Sequence, residues 1–73
     1  MTYVDGTAVK LGDRVRLENG EHGTVVFSID KNEFADGFSS QDWSYLRTGV
    51  MVKTDTGALV HYSGTNAHEI ARL

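Results

Sequence analysis

The chain has 73 residues, a formal net charge of −3 and no cysteine, and 40% of its residues are hydrophobic. This length predicts one small domain, which buries only roughly 60% of the surface that its unfolded chain exposes. The lack of cysteine excludes disulfides and thiolate zinc sites. No apolar run approaches the roughly 20 residues that span a bilayer. Since the N-terminus has neither the basic nor the apolar region of a signal peptide, we expect a cytoplasmic protein.

The first predicted elements are a lead-in bend and a strand. Asp5-Gly6 between two short apolar runs favours a small hairpin or bend. Residues 13–17 alternate with a period of two, with Val15 and Leu17 on one face and two arginines on the other. This alternation predicts a half-buried strand.

A second strand is predicted over residues 24–29, after a turn at residues 18–20. Gly20 and Gly23 bracket this connection, which favours a bulge or a glycine-adapted loop there. Strict alternation in the second strand would place Val25, Phe27 and Ile29 on one face and Val26 on the other.

Residues 30–48 differ in character from the rest of the chain, because periodicity fades and turn-forming residues accumulate. The segment holds four of the seven aromatic residues and four acidic residues: Phe34, Phe38, Trp43, Tyr45, Asp30, Glu33, Asp36 and Asp42. A loop longer than about 12–15 residues is uncommon in a compact domain and is often functional. Residues 40–46 are compatible with one helical turn capped by Ser39 or Ser40.

The remaining residues predict three more short strands. They cover residues 49–54, 58–62 and 67–73, with turns at residues 55–57 and 63–66. Closing five short strands into a barrel removes exposed sheet edges and lets few residues share one core. We therefore predict an all-β fold: a single small SH3-like barrel over residues 1–73, with one long loop.

The first hairpin resembles a known motif. Val9-Lys10-Leu11-Gly12-Asp13-Arg14-Val15-Arg16-Leu17, followed by Gly23-Thr24-Val25-Val26 and Ile29-Asp30, resembles the KOW-type hairpin of SH3-like barrels. The resemblance covers about a third of the chain. It implies the barrel fold and says little about function.

Two wider resemblances concern the whole pattern. The course from Tyr3-Val4-Asp5-Gly6-Thr7 through Trp43-Ser44-Tyr45-Leu46 to Leu59-Val60-His61-Tyr62 resembles small bacterial proteins, some of which look like immunity proteins of toxin loci. The barrel is also similar to type II dihydrofolate reductases, which are tetramers with a Val-Gln-Ile-Tyr stretch in a catalytic pore. Only the tyrosine of Leu59-Val60-His61-Tyr62 matches that stretch outright, and the glutamine is absent.

Known catalytic and metal-binding motifs are missing. His22, His61 and His68 have neither strand nor helix ligand spacing. Asp30-Lys31-Asn32 begins like a calcium loop, but Phe34-Ala35 stands where a ligand and a glycine are required. We therefore predict no catalytic residue, no metal and no cofactor.

Residues 30–48 are the leading candidate for a binding surface. Exposed aromatic residues would anchor another protein, and the acidic residues would select a basic one. The candidate contact residues are Asp30, Glu33, Phe34, Asp36, Phe38, Asp42, Trp43 and Tyr45. The competing interpretation is structural, with Phe34, Phe38 and Trp43 forming a small core at one end of the barrel.

Besides this protein-binding function, two other functions remain open at the level of sequence. Lys10, Arg14 and Arg16 could form a nucleic-acid-binding stripe on the KOW-like hairpin, although the acidic net charge argues against it. The third and most remote alternative is a homo-oligomeric barrel with a catalytic pore.

Overall fold

The computed structural model describes residues 2–3, 5–62, 66–67 and 70–73. The strands are β1 (Thr2–Tyr3), β2 (Arg14–Leu17), β3 (His22–Ser28), β4 (Glu33–Phe34), β5 (Val50–Thr54), β6 (Leu59–Tyr62), β7 (Asn66–Ala67) and β8 (Ile70–Arg72). One helical turn, α1 (Ser40–Trp43), continues as a 3-10 helix (Ser44–Leu46).

The main sheet has six strands and curls into a half-barrel. Its order is β6-β5-β3-β2-β8, β4 also pairs with β3, and every pairing in it is antiparallel. A separate short pair joins β1 and β7 in parallel. The prediction of a small all-β, barrel-like fold is therefore confirmed. No helix in the described ranges is long and apolar enough to cross a bilayer.

The predicted strands occur with ends that differ by one or two residues, except the last. The final strand, predicted over residues 67–73, covers only Ile70–Arg72. Neither β4 nor β7 was predicted, since two residues are too few to show alternation, and Asn66 of β7 was wrongly predicted to lie in a turn. Residues 63–65 of the predicted turn lie outside the described residues. So does His68, which the sequence analysis considered as a metal ligand.

The inner face of the curled sheet carries the main core, which is built by alternating strand residues. Its buried members are Tyr3, Val9, Val15, Leu17, Val25, Val50, Val52 and Ile70. The Tyr3 hydroxyl donates a 2.7 Å hydrogen bond to Asp13 Oδ2, and burial together with this bond raises the pKa of Tyr3. The Arg72 guanidinium lies 5.8 Å from the centre of the same ring.

A β-bulge in β3 changes which side chains face the core. Val25 pairs with Val52, and Phe27 pairs with the adjacent Met51, so Val26 is an extra residue on β3. Val25 therefore stays in the inner core, while Val26 and Phe27 belong to a second cluster on the outer face. The prediction that Val25 and Phe27 share a face is wrong, because strict alternation does not survive the bulge.

Gly23 permits close strand packing and is not the site of the bulge. It is buried and pairs regularly with Val15 on β2 and Thr54 on β5. A Cβ atom at this position would lie 2.6 Å from Val52 Cγ1 and 2.9 Å from the Lys53 carbonyl oxygen. Only glycine therefore fits between these strands.

The outer face of the sheet has two unlike halves. Phe27 and Met51 pair across strands in one half, which residues 30–48 cover. In the other half, Arg14, Thr24, Lys53 and Leu59 form one cross-strand row. Arg16 and His22 form the next row. We call the uncovered half the basic half-face.

Candidate functional site

Residues 30–48 are fixed to the sheet at both ends and in the middle. Ile29 N donates to Gly49 O at 2.9 Å, and Gly49 N donates to Asp30 Oδ1 at 3.1 Å, so the two ends of the segment are held together. Ala35 N donates to Val26 O at 2.9 Å, directly after β4 pairs with β3. The long loop predicted from the sequence is therefore an ordered cover on the outer face.

The helical turn inside this segment begins at the predicted cap. Ser39 O accepts hydrogen bonds from Asp42 N at 3.1 Å and Trp43 N at 3.3 Å, and Ser39 Oγ accepts a longer one from Asp42 N at 3.4 Å. The predicted turn over residues 40–46 and the Ser39 cap are confirmed. Arg47 follows with a φ of 69°, a left-handed conformation that ends the 3-10 helix.

Three of the four aromatic residues of the segment pack around Phe27. The Phe27 ring centre lies 5.1 Å from that of Phe34, 5.7 Å from Phe38 and 5.4 Å from Trp43. All three are half-buried, which confirms that these residues form a small core. The core was predicted at one end of the barrel, however, and it lies on the outer face of the sheet. The core covers the outer face of the sheet, where the bulge has placed Phe27.

Tyr45 is the exception among these aromatic residues. Its exposed fraction is 69%, yet its ring stacks on Trp43 with centres 6.3 Å apart and planes inclined by 24°. Since Trp43 rests on the fully buried Phe27, Tyr45 is an exposed aromatic side chain on a packed support. This arrangement is typical of a contact anchor that loses little rotamer entropy on binding.

The four predicted acidic residues divide into two groups. The Asp30 carboxylate accepts a hydrogen bond from Gly49 N, which holds the two ends of the segment together, so its role is structural. Glu33, Asp36 and Asp42 are exposed. We call Glu33, Asp36, Asp42 and Tyr45 the acidic aromatic surface.

The structure does not bring Lys10, Arg14 and Arg16 together as one free stripe. Arg14 and Arg16 share the outer face of β2, whereas Lys10 lies in the turn before β2, where its backbone N donates to Asp13 Oδ2 at 3.0 Å. Arg14 makes a bidentate pair with Asp55, at 2.8 and 3.0 Å, so much of its charge is offset.

Lys53 and His22 are the neighbours of these arginines that sequence reasoning missed. Alternation in residues 49–54 places Lys53 opposite to Val52, hence away from the core. Its proximity to Arg14 depends on the register of β2, β3 and β5, which sequence patterns do not supply.

The Arg14–Asp55 pair makes a prediction about acid stability. Hydrogen bonding from Arg14 holds the pKa of Asp55 below its ordinary value, so the contribution to stability is present above the usual aspartate pKa and is lost as the pH falls through the lowered one. We expect Asp55→Asn to lower the urea midpoint at about pH 6 and to match the wild type at about pH 2. Glu18→Gln, at an exposed turn position, is the control and should leave both midpoints unchanged. An Asp55→Asn difference that is equal at both pH values would contradict this coupling.

The described part of the chain contains no cluster of potential metal ligands. No three His, Cys, Asp or Glu residues there are grouped so that they could hold an ion. His61 lies on the edge strand β6, with Nε2 2.8 Å from the carbonyl oxygen of Thr48. This contact ties β6 to the end of the covering segment.

Comparison with known proteins gives no further lead, since no family model, no curated protein and no solved structure matches the chain.

Proposed function

We propose that this protein is a non-enzymatic binding module that captures a basic protein through the acidic aromatic surface. The observation that carries the proposal is Tyr45, which is 69% exposed although it stacks on Trp43. A large aromatic side chain on a packed support gains contact area on binding at a small entropic cost.

The charge of residues 30–48 indicates the chemistry of the partner. Residues 30–48 contain four acidic and two basic side chains, and Glu33, Asp36 and Asp42 are exposed. Acidic groups at the rim of an interface raise the association rate of a basic partner and disfavour acidic ones. The partner surface is therefore a basic patch with a pocket for one aromatic ring.

The concrete form of this proposal is an inhibitor that covers a functional surface of its partner. The resemblance to immunity-like bacterial proteins suggests a basic toxin, and the KOW-type hairpin suggests an SH3-like barrel as the scaffold. A cytoplasmic location belongs to the same proposal. Inhibition would follow from steric occlusion, so no catalytic group is required.

The first test truncates the anchor. Tyr45→Ala is expected to weaken capture of the basic partner at least about tenfold, as removal of an interface hot spot does, while the urea midpoint stays close to that of the wild type. The measurement is affinity capture from cells of the source organism, followed by titration of the captured protein. Leu73→Ala is the matched control, since Leu73 is also a largely exposed apolar side chain, at 60%, but follows β8. Equal capture by Tyr45→Ala and the wild type would refute the proposal.

The second part of the test removes charge. Asp36→Asn together with Asp42→Asn is expected to slow association, and the difference from the wild type should shrink at high salt. Trp43→Ala is less suitable, because Trp43 packs against Phe27 and its loss would disturb the fold as well. Glu18→Gln is the charge control and should associate at the wild-type rate.

Nucleic-acid binding through the basic half-face stays a prediction. Arg16 and Lys53 are exposed there, but the bidentate Asp55 reduces the charge that Arg14 contributes. Phosphate contacts are strongest at low salt. Binding of an oligonucleotide at low salt that Lys53→Ala abolishes and Tyr45→Ala does not would support this second function.

A further inference from the structure

We infer that the outer face of the sheet also binds a second copy of this chain, with the acidic aromatic surface of each copy lying on the basic half-face of the other. The inference rests on the proposed function, since it uses the same acidic aromatic surface. It assigns a role to the basic half-face, which the first proposal does not use. The basic half-face of one copy would then compete with a foreign basic protein for the acidic aromatic surface of the other copy.

The two surfaces lie on one side of the molecule. Phe27 and Met51, which the acidic segment covers, and Lys53, which it does not, all lie on the outer face of neighbouring strands. Arg14 and Arg16 extend this face across β2. A chain of acidic net charge thus carries its acidic segment and a basic patch side by side.

This arrangement is complementary to itself. A twofold axis that lies in the interface plane, along the boundary between the two halves, brings the two faces together with their halves exchanged. Each acidic aromatic surface then meets a basic half-face, and this contact occurs twice in one dimer. Arg14 is already paired with Asp55, whereas Lys53 has no ion pair among the described residues. Lys53 therefore gains more from an acidic partner than Arg14 does.

The basic half-face also offers a place for the aromatic anchor. Leu59 pairs with Lys53 across β5 and β6, and its exposed fraction is 42% although it belongs to a strand. An exposed leucine beside an exposed lysine provides both an apolar contact and a cation for the face of an aromatic ring. Tyr45 of the second copy fits this chemistry.

The size of the face agrees with a small dimer interface. The Cα atoms extend 30 × 26 × 16 Å, so a broad face of the molecule is of the order of the roughly 800 Å² per partner that stable interfaces bury. A chain of 73 residues without disulfides also has little core of its own. Association is one of the ways in which small domains gain stability.

The test measures the mass of the purified full chain in solution. Sedimentation equilibrium from about 1 μM to about 1 mM protein is expected to show a shift from monomer to dimer mass at about 50 mM salt, and a weaker one at about 500 mM. Lys53→Glu and Asp42→Lys should each raise the dimer dissociation constant at least about tenfold. The double variant restores opposite charges and should recover dimerisation to within about threefold.

The control is Glu18→Lys, which makes the same charge change as Asp42→Lys in the β2–β3 turn and should dimerise like the wild type. A wild type that stays monomeric throughout, or a double variant as weak as the two single variants, overturns the inference. If the wild type is monomeric but still captures a foreign basic protein through Tyr45, the proposed function stands without the dimer. If the dimer forms and Tyr45→Ala captures the foreign basic protein as well as the wild type does, the inferred dimer is supported and the proposed function is refuted.

Discussion

Gly23→Val is expected to leave the chain without a cooperative folded state. Gly23 is buried in the middle strand of the sheet, and even a Cβ atom there would lie 2.6 Å from Val52 Cγ1 and 2.9 Å from a backbone oxygen of Lys53. The backbone oxygen moves only if β3 and β5 separate. Overpacking of a core costs about 1–3 kcal/mol and occasionally more, whereas a core of this size supplies roughly 3–5 kcal/mol. The measurement is urea denaturation followed by circular dichroism.

The matched control for this variant is Thr24→Val. It introduces the same side chain at the next residue of β3, where Thr24 faces outward and pairs with Arg14 and Lys53. Valine suits a strand there, and only one exposed hydrogen bond from Arg14 is lost. Its urea midpoint should stay close to that of the wild type. A Gly23→Val protein as stable as Thr24→Val would show that the strands are less tightly packed than described.

Phe27→Ala is expected to cost about 3–5 kcal/mol and to release the covering segment from the outer face. Phe27 is fully buried, and its ring contacts Phe34, Phe38 and Trp43. Trp43 is the only tryptophan, so its fluorescence reports directly on this core. In the variant, the emission maximum should be shifted to the red before any denaturant is added. Little of the urea transition should remain, because the loss is about as large as the stability that a core of this size supplies.

Phe27→Leu separates the effect of volume from the effect of the ring. Leucine keeps most of the apolar volume, so the loss of stability should be clearly smaller than for alanine. Val15→Ala provides the contrasting control, since Val15 belongs to the inner core and should destabilise the protein without shifting native Trp43 emission. Unshifted emission in folded Phe27→Ala would mean that the segment does not depend on this core.

The dependence on Phe27 connects fold and function. The acidic aromatic surface stands on the aromatic core, because Tyr45 stacks on Trp43 and Trp43 packs against Phe27. A variant that loosens this core should weaken both stability and partner capture. Variants at Tyr45, Asp36 and Asp42 should weaken capture without loosening the core, since these three side chains are exposed. This difference separates contact residues from supporting ones.

The fold class and most of the strands were predictable from the order of the amino acids. Alternation in residues 13–17 and 49–54 correctly places Val15, Leu17, Val50 and Val52 in one core, because a regular strand points successive side chains to opposite faces. The helical turn and its Ser39 cap were also predictable, since a cap depends on local hydrogen bonding. All of these features need only neighbouring residues.

The arrangement of the two surfaces, by contrast, depends on contacts between distant parts of the chain. The bulge at Val26 reverses the phase of β3, and no local pattern marks it, because the extra residue is defined only against its partner strand β5. That reversal places Phe27 on the outer face, where Phe34, Phe38 and Trp43 pack against it. Tyr45 stays exposed. Strand register likewise brings Lys53 beside Thr24 and Arg14 from distant parts of the chain. Periodicity within one strand carries no information on its neighbours, so these placements followed only from the assembled sheet.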